Sequence, residues 1–264
     1  MGSRRCTRLT NSRGIKPTLR RFGDHPTDTR PAIWSTIGSV SHGVRMRTAI
    51  LCTAALLVGC NQNVKSPFPE GLEPLEKNKA SWPAGSGYPE TLSCASGTNE
   101  DEDVGEYTWV HCKTYVNHPI ADVYAAYQKP RVVIDRRAVN EIDVTWDVEP
   151  EYDVSYRVHH TVHDVITVEF ESTWRHGDVD GYEDELTEVG SRWQKTWGTE
   201  VIELIRGSIF TTEVDANNTG LEIVVHQKTL QADEPLMMDY IRDLQTDILA
   251  ETDGKSLPTY DSGV

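Results

Sequence analysis

His159, His160 and His163 fall within five residues, and on a strand His159 and His163 would share a face. Imidazoles bind zinc when their ring nitrogens converge with a third ligand, for which His111 and Asp164 are the candidates. Ligands on one strand usually sit at i and i+2, so this spacing reads as a solvated strand face, and no metal is expected. Asp178-Val179-Asp180-Gly181-Tyr182-Glu183-Asp184-Glu185 gathers hard oxygens that suit calcium. Its glycine stands fourth rather than sixth, so an acidic surface turn is the simpler reading. Phe170, Trp174, Trp193 and Trp197 offer large apolar area with a polar N–H. On strands, Phe170, Ser172 and Trp174 would share one face, and Trp193, Lys195 and Trp197 another. Side by side they would make a cavity wall, with Met237, Met238, Tyr240 and Ile241 of a helix opposite. Plain core packing competes for both sets. Lys195, Glu203 and His226 could face such a cavity, but no spacing pairs an acid with a base. The chain has no nucleophile elbow, phosphate loop or HExxH motif, so no catalytic residue and no cofactor is assigned.

The elements that must position these groups follow from periodicity. Tyr107–Val116 alternates as a strand, and Asn117-His118-Pro119 opens a helix carrying Ile120, Val123, Tyr124 and Tyr127. Pro130 ends it, and Arg131–Val139 could form a second short helix. Strand-like runs cover Glu141–Val148, Val154–Val162, Val165–Arg175, Arg192–Thr199, Val201–Val214 and Leu221–Leu230. Gly207 predicts a bulge or bend. Asp215–Gly220 has hairpin-turn chemistry. Asp233 could cap a closing helix over Pro235–Thr252, whose stripe is Met237, Ile241, Leu244 and Ile248. The acidic stretch 99–106 reads as a turn. Residues 61–93 are dense in Pro and Gly and predict an extended tether; 253–264 predict a disordered tail.

Met46-Arg47 followed by Thr48–Cys60 (TAILCTAALLVGC) is a charged start and a short apolar run. A run of about ten apolar residues is too short to span a bilayer but suits a signal peptide. Its last four residues, Leu57-Val58-Gly59-Cys60, resemble the lipobox of bacterial lipoproteins. The resemblance implies cleavage before Cys60 and lipidation of its thiol, with residues 46–59 as the leader. Residues 1–45 hold 9 Lys and Arg against Asp24 and Asp28 and read as an extension upstream of the true start. The Arg20-Arg21 pair offers a twin-arginine leader as the competing reading. Asn61 after the cysteine favours the outer membrane.

From Cys60 onward the chain carries 16 Lys and Arg against 39 Asp and Glu, a net charge of −23. Such a field repels phosphate backbones and excludes nucleic acid as a partner. It also disfavours lying flat on an anionic membrane, so the lipid must hold the protein there. Cys6 and Cys52 lie in segments absent from such a mature protein. Cys94 and Cys112 then remain as a pair in an oxidising compartment, and a disulfide between them is expected.

The order of elements resembles the helix-grip fold of the START/polyketide-cyclase superfamily. The local matches are Val116-Asn117-His118-Pro119-Ile120-Ala121-Asp122-Val123-Tyr124, similar to the family's helix start, and Gly220–His226, similar to its last strand. The stretch 177–190 departs from the family's short hairpin. The resemblance covers 106–252, with 60–105 as the lipidated tether. It implies an α+β fold in which a curved antiparallel sheet of about six to seven strands wraps the C-terminal helix. It further implies an apolar cavity and a small apolar ligand. The reading is an envelope lipoprotein that binds rather than catalyses, with a cyclase-like enzyme or a ligand-free structural lipoprotein as alternatives.

Overall fold

A computed structural model describes residues 63–163, 167–182, 185–230 and 234–261. The leader, Cys60, the twin arginines, Asp164 and Asp233 lie outside the described residues, as does part of the acidic stretch at 183–184. In chain order the elements are β1 (Asn63–Lys65), β2 (Ser93–Asp101), β3 (Gly105–Val116), α1 (Ile120–Tyr127), α2 (Pro130–Val133), β4 (Glu141–Trp146), β5 (Val154–His163), β6 (Thr167–Tyr182), β7 (Glu185–Thr199), β8 (Ile202–Asp215), β9 (Asn218–Thr229) and α3 (Glu234–Thr252). One antiparallel sheet runs β2-β3-β9-β8-β7-β6-β5-β4, and β1 adds to β7 off that path. The long C-terminal helix closes the concave side, as the helix-grip expectation requires. No described helix is long and apolar enough to cross a membrane.

α3 folds as its stripe dictates. Met237, Ile241, Leu244 and Ile248 are all buried and pack against Val110, Cys112, Ile209, Leu221 and Ile223 of the sheet. Burying each such side chain contributes roughly 1.5–3 kcal/mol. β3 and β9 alternate strictly, so every second residue reaches this core. α1 adds Val123, Tyr124 and Tyr127 from the side. Pro119 sits just before α1, and neither Asn117 nor His118 makes a side-chain cap.

Four expectations are corrected. The stretch 60–105 is not a free tether: among its described residues β1 and β2 are strands, which brings the sheet to nine. Between them, residues 66–92 cross the convex face as a strap. Arg175 stacks on Phe68 at 3.7 Å and donates to the Pro69 carbonyl. The Leu75 amide donates to Ser208 Oγ at 3.0 Å, and Asn78 Nδ2 donates to the carbonyls of Cys112 and Ile223 at 3.0 and 3.3 Å. Trp82 stacks on Tyr115 at 4.8 Å. Pro and Gly keep the strap extended, but side chains every few residues hold it down. Second, residues 253–261 pack back on α3: Tyr260 Oη donates to Asp247 Oδ1 at 2.8 Å, and the Arg136 and Arg137 guanidiniums lie over its ring. Third, the described part of the acidic stretch is mostly strand: β6 runs to Tyr182 and β7 starts at Glu185, with Asp178 opposite Val189. Fourth, Gly207 makes no bulge. It lies in register with Trp193 and Val225, and a Cβ there would meet the Trp193 ring at 2.2 Å.

The Cys94–Cys112 disulfide is formed. The two residues face each other directly across the β2–β3 ladder, a position that brings side chains close.

Candidate functional site

The centre of the concave face is aromatic and polar at once. Cross-strand pairing sets Tyr156 beside Trp174 and Trp174 beside Trp193. The two indoles stack at 4.6 Å, and Gly207 leaves the room that the Trp193 ring fills. The next row holds His176 beside Ser191. The His176 ring lies 5.3 Å from Tyr156 and 6.2 Å from both Tyr127 and Trp174. All six side chains are buried. Both His176 nitrogens, Tyr156 Oη and Ser191 Oγ have no hydrogen-bond partner among the described residues. Tyr127 Oη, by contrast, shares a 3.1 Å hydrogen bond with Thr211 Oγ1. An unpartnered buried polar group costs about 1–3 kcal/mol, so four such atoms in one patch call for an explanation. Burial alone pushes His176 down to about 3, so its ring is neutral at physiological pH.

The residues expected to line a cavity divide three ways. Trp174, Trp193, Met237 and Ile241 belong to one cluster on this face. Tyr240 packs partly against it and donates its hydroxyl to the Val133 carbonyl at 2.9 Å. Phe170 shares the face but sits in a separate cluster with Val168 and Ile202, stacked on His160 at 4.3 Å. Trp197 is on the convex side, opposite Glu171 and Lys65. An irregularity between Glu171 and Ser172 shifts the β6–β7 register there, so Trp193 and Trp197 do not share a face as strict alternation required. Tyr127 was read only as part of the α1 stripe, and Tyr156, His176 and Ser191 were not singled out by sequence. The signal for the strand residues was parity alone: Tyr156 and His176 alternate in phase with Val158 and Trp174.

The remaining chemical candidates resolve as structure. Lys195 is buried and donates to the Thr199 and Ile202 carbonyls at 3.0 and 2.6 Å, closing the β7–β8 turn. Glu203 pairs with Lys228 at 2.7 Å. His226 faces the convex side. His159 and His163 pair with Glu171 and Glu141 respectively, and His111 is on a distant strand.

Three groups on the convex face do converge: Glu76 of the strap, His111 of β3 and His226 of β9. Glu76 Oε1 lies 2.9 Å from both Nε2 atoms. A metal is disfavoured by the opposite nitrogens. The Lys79 amide donates to His111 Nδ1 at 3.0 Å, and Arg206 Nε donates to His226 Nδ1 at 3.4 Å. Rings accepting at Nδ1 carry their proton on Nε2, where a metal would bind. The trio is therefore a clasp that fixes the strap. Burial holds both histidines below their ordinary range, His226 at about 4. Beside the clasp, Pro74, Lys77, Lys113, Phe210 and Glu222 border an open depression of about 460 Å³ on the face opposite the indoles.

No family model and no curated protein matches the chain. Solved structures resemble it. One is the human StarD13 (DLC2) lipid transfer and protein localization domain, at 8% identity and TM-score 0.43, covering 69% of this chain and 91% of that one. Another is human StAR-related lipid transfer protein 5, at 12% and 0.41, covering 67% and 84%. The ZhuI aromatase/cyclase of a Streptomyces species aligns at 11% and 0.37, covering 55% and 91%. The helix-grip assignment rests on this chain's own strand order and the placement of α3.

Proposed function

We propose that the chain is a bacterial envelope lipoprotein whose domain holds a small, mostly apolar ligand between α3 and the concave face. Residues 46–59 are the leader, Cys60 carries the lipid, and the outer membrane is the destination. The observation that carries the binding reading is the patch of unpartnered polar atoms around His176 amid apolar walls. A ligand with one polar end would satisfy those atoms and lay its apolar body against Trp174, Trp193 and Met237. The indole stack fills this space, so binding parts side chains, and Met237 is the most pliable of them. Because burial alone depresses His176, the ring is set to exchange hydrogen bonds rather than relay protons.

The test is native mass spectrometry of protein purified from its own envelope, followed by extraction of what it carries. The expected results are a mature mass starting at acylated Cys60 and a one-to-one small molecule released on unfolding. A folded domain that releases nothing overturns the binding reading. A product retaining 46–59 overturns the anchor.

A further inference from the structure

β1 begins at Asn63, three residues after Cys60. Three residues span at most about 10 Å when fully extended. The place where β1 joins the sheet therefore fixes which part of the domain an anchor at Cys60 must hold near lipid. Asn63 is opposite Thr199 at the end of β7. Two residues on, the Val201 carbonyl accepts from the Leu230 amide at 3.4 Å. Val64 lies in one row across the sheet with Gly198, Phe170, His160 and Ile142. Large apolar side chains are left open along this rim: Leu230 is 80% exposed, Ile142 44% and Val64 38%.

We propose that this rim, from β1 to Leu230 and the start of β4, lies on the bilayer that holds the anchor; the proposal rests on acylation of Cys60. The strap across the convex face removes the slack that a free tether would have given. The partner is a lipid surface with neutral headgroups. Glu141 and Glu200 are exposed on the same rim, Glu203 is paired with Lys228, and Lys65 is the remaining exposed cation of β1, so the rim carries no excess of cations for anionic headgroups. Isolated apolar side chains among carboxylates suit shallow contact with the interface rather than deep insertion. α3 also begins near this rim, because β9 ends at Thr229 and α3 starts at Glu234. The N-terminal end of the gripped helix thus faces lipid, and an apolar ligand would be exchanged with the bilayer and not with water.

The test uses the full-length acylated protein in phosphatidylcholine vesicles. Nitroxide labels are placed singly by Val64→Cys, Leu230→Cys and Asn217→Cys; Asn217 is exposed in the β8–β9 turn at the other end of the sheet. Labels at 64 and 230 are expected to collide more with lipid-dissolved oxygen than with an aqueous nickel chelate, and the label at 217 the reverse. A long Gly/Ser spacer inserted between Asn61 and Gln62 should bring 64 and 230 to the value at 217. Intact mass reports acylation independently. Acylated protein with 64 and 230 as water-exposed as 217 overturns the placement alone; absence of acyl chains overturns the anchor and the placement with it. Two labelled sites guard against one variant failing to fold.

Discussion

His111 and His226 on one face of the sheet and His176 on the other are buried in opposite ways, while His160 on the concave face shares a 2.8 Å hydrogen bond with Ser172 Oγ. On the convex face His111 and His226 meet a carboxylate 2.9 Å away, and the strap that brings it is fastened by hydrogen bonds on either side. On the concave face His176 meets only aromatic rings, and both its nitrogens go unpartnered. A buried imidazole with a partner holds the structure together. A buried imidazole without one costs stability, and folds retain such costs where a site must accept something else. On the proposed reading the convex clasp holds the strap, and the concave patch around His176 is where a ligand would bind.

Acid tests both faces together and has the largest expected effect. Burial pushes His160 and His176 down to about 3 and His226 to about 4, against about 6.5 in an unfolded chain. Between those values the unfolded state binds more protons. The stability these groups contribute is therefore complete above pH about 6.5 and is lost as pH falls toward 4. Each histidine contributes a slope of about 1.4 kcal/mol per pH unit in that window. Denaturant titrations from pH 8 to 4 should show a plateau and then a steep fall. A flat profile from pH 6.5 to 4.5 would mean that the imidazoles are not buried neutral on either face.

Truncating the indole stack comes next. Trp193→Ala should cost about 3–5 kcal/mol, because the ring is wholly buried and Gly207 beneath it cannot fill the gap. Trp197→Ala, half-buried on the other side, should cost much less in the same denaturant measurement. Equal losses would erase the distinction drawn at the Glu171/Ser172 irregularity. Removing the disulfide, as Cys94→Ala with Cys112→Ala, should cost about 3 kcal/mol for a loop of this separation. The β2–β3 ladder should persist in the variant's hydrogen-exchange pattern.

Much of the fold was legible because period alone specifies it. The α3 stripe and the β9 alternation each name their buried face, and Cys94 and Cys112 were the only pair left to join. The strap was not legible, because Pro and Gly announce extended chain without saying whether it is packed. What packs it is a set of isolated contacts (Phe68 under Arg175, Asn78 on two carbonyls, Trp82 on Tyr115), each from a partner more than thirty residues away. The strands within the acidic stretch were missed because its charge suggested a turn, whereas pairing of the neighbouring rows carries its described residues as strand. Trp197 was misplaced because a register irregularity leaves no mark in a hydrophobic pattern. The centre of the concave face failed for another reason: a polar residue in an apolar phase reads as noise until its neighbours are known.

The clasp and the concave histidine can be set directly against each other. Glu76→Gln removes the carboxylate that is hydrogen-bonded to His226 Nε2 and lies 2.9 Å from His111 Nε2, and should cost about 1–3 kcal/mol, seen as earlier denaturant unfolding and faster proteolysis within 66–92. His176→Phe should do the opposite in the free protein. It removes two unpartnered buried nitrogens and keeps a ring of similar shape among Tyr127, Tyr156 and Trp174. The expected change is small, between neutral and about 1 kcal/mol of stabilisation, because replacing an unsatisfied polar group by an apolar one of like shape relieves its desolvation cost. The acid slope should fall by one proton in the same variant. Any ligand recovered with the wild-type protein should be lost from it, since the polar end would meet a hydrocarbon edge. A His176→Phe protein destabilised as much as Glu76→Gln would show that the imidazole is partnered after all, and the two faces of the sheet would then be alike.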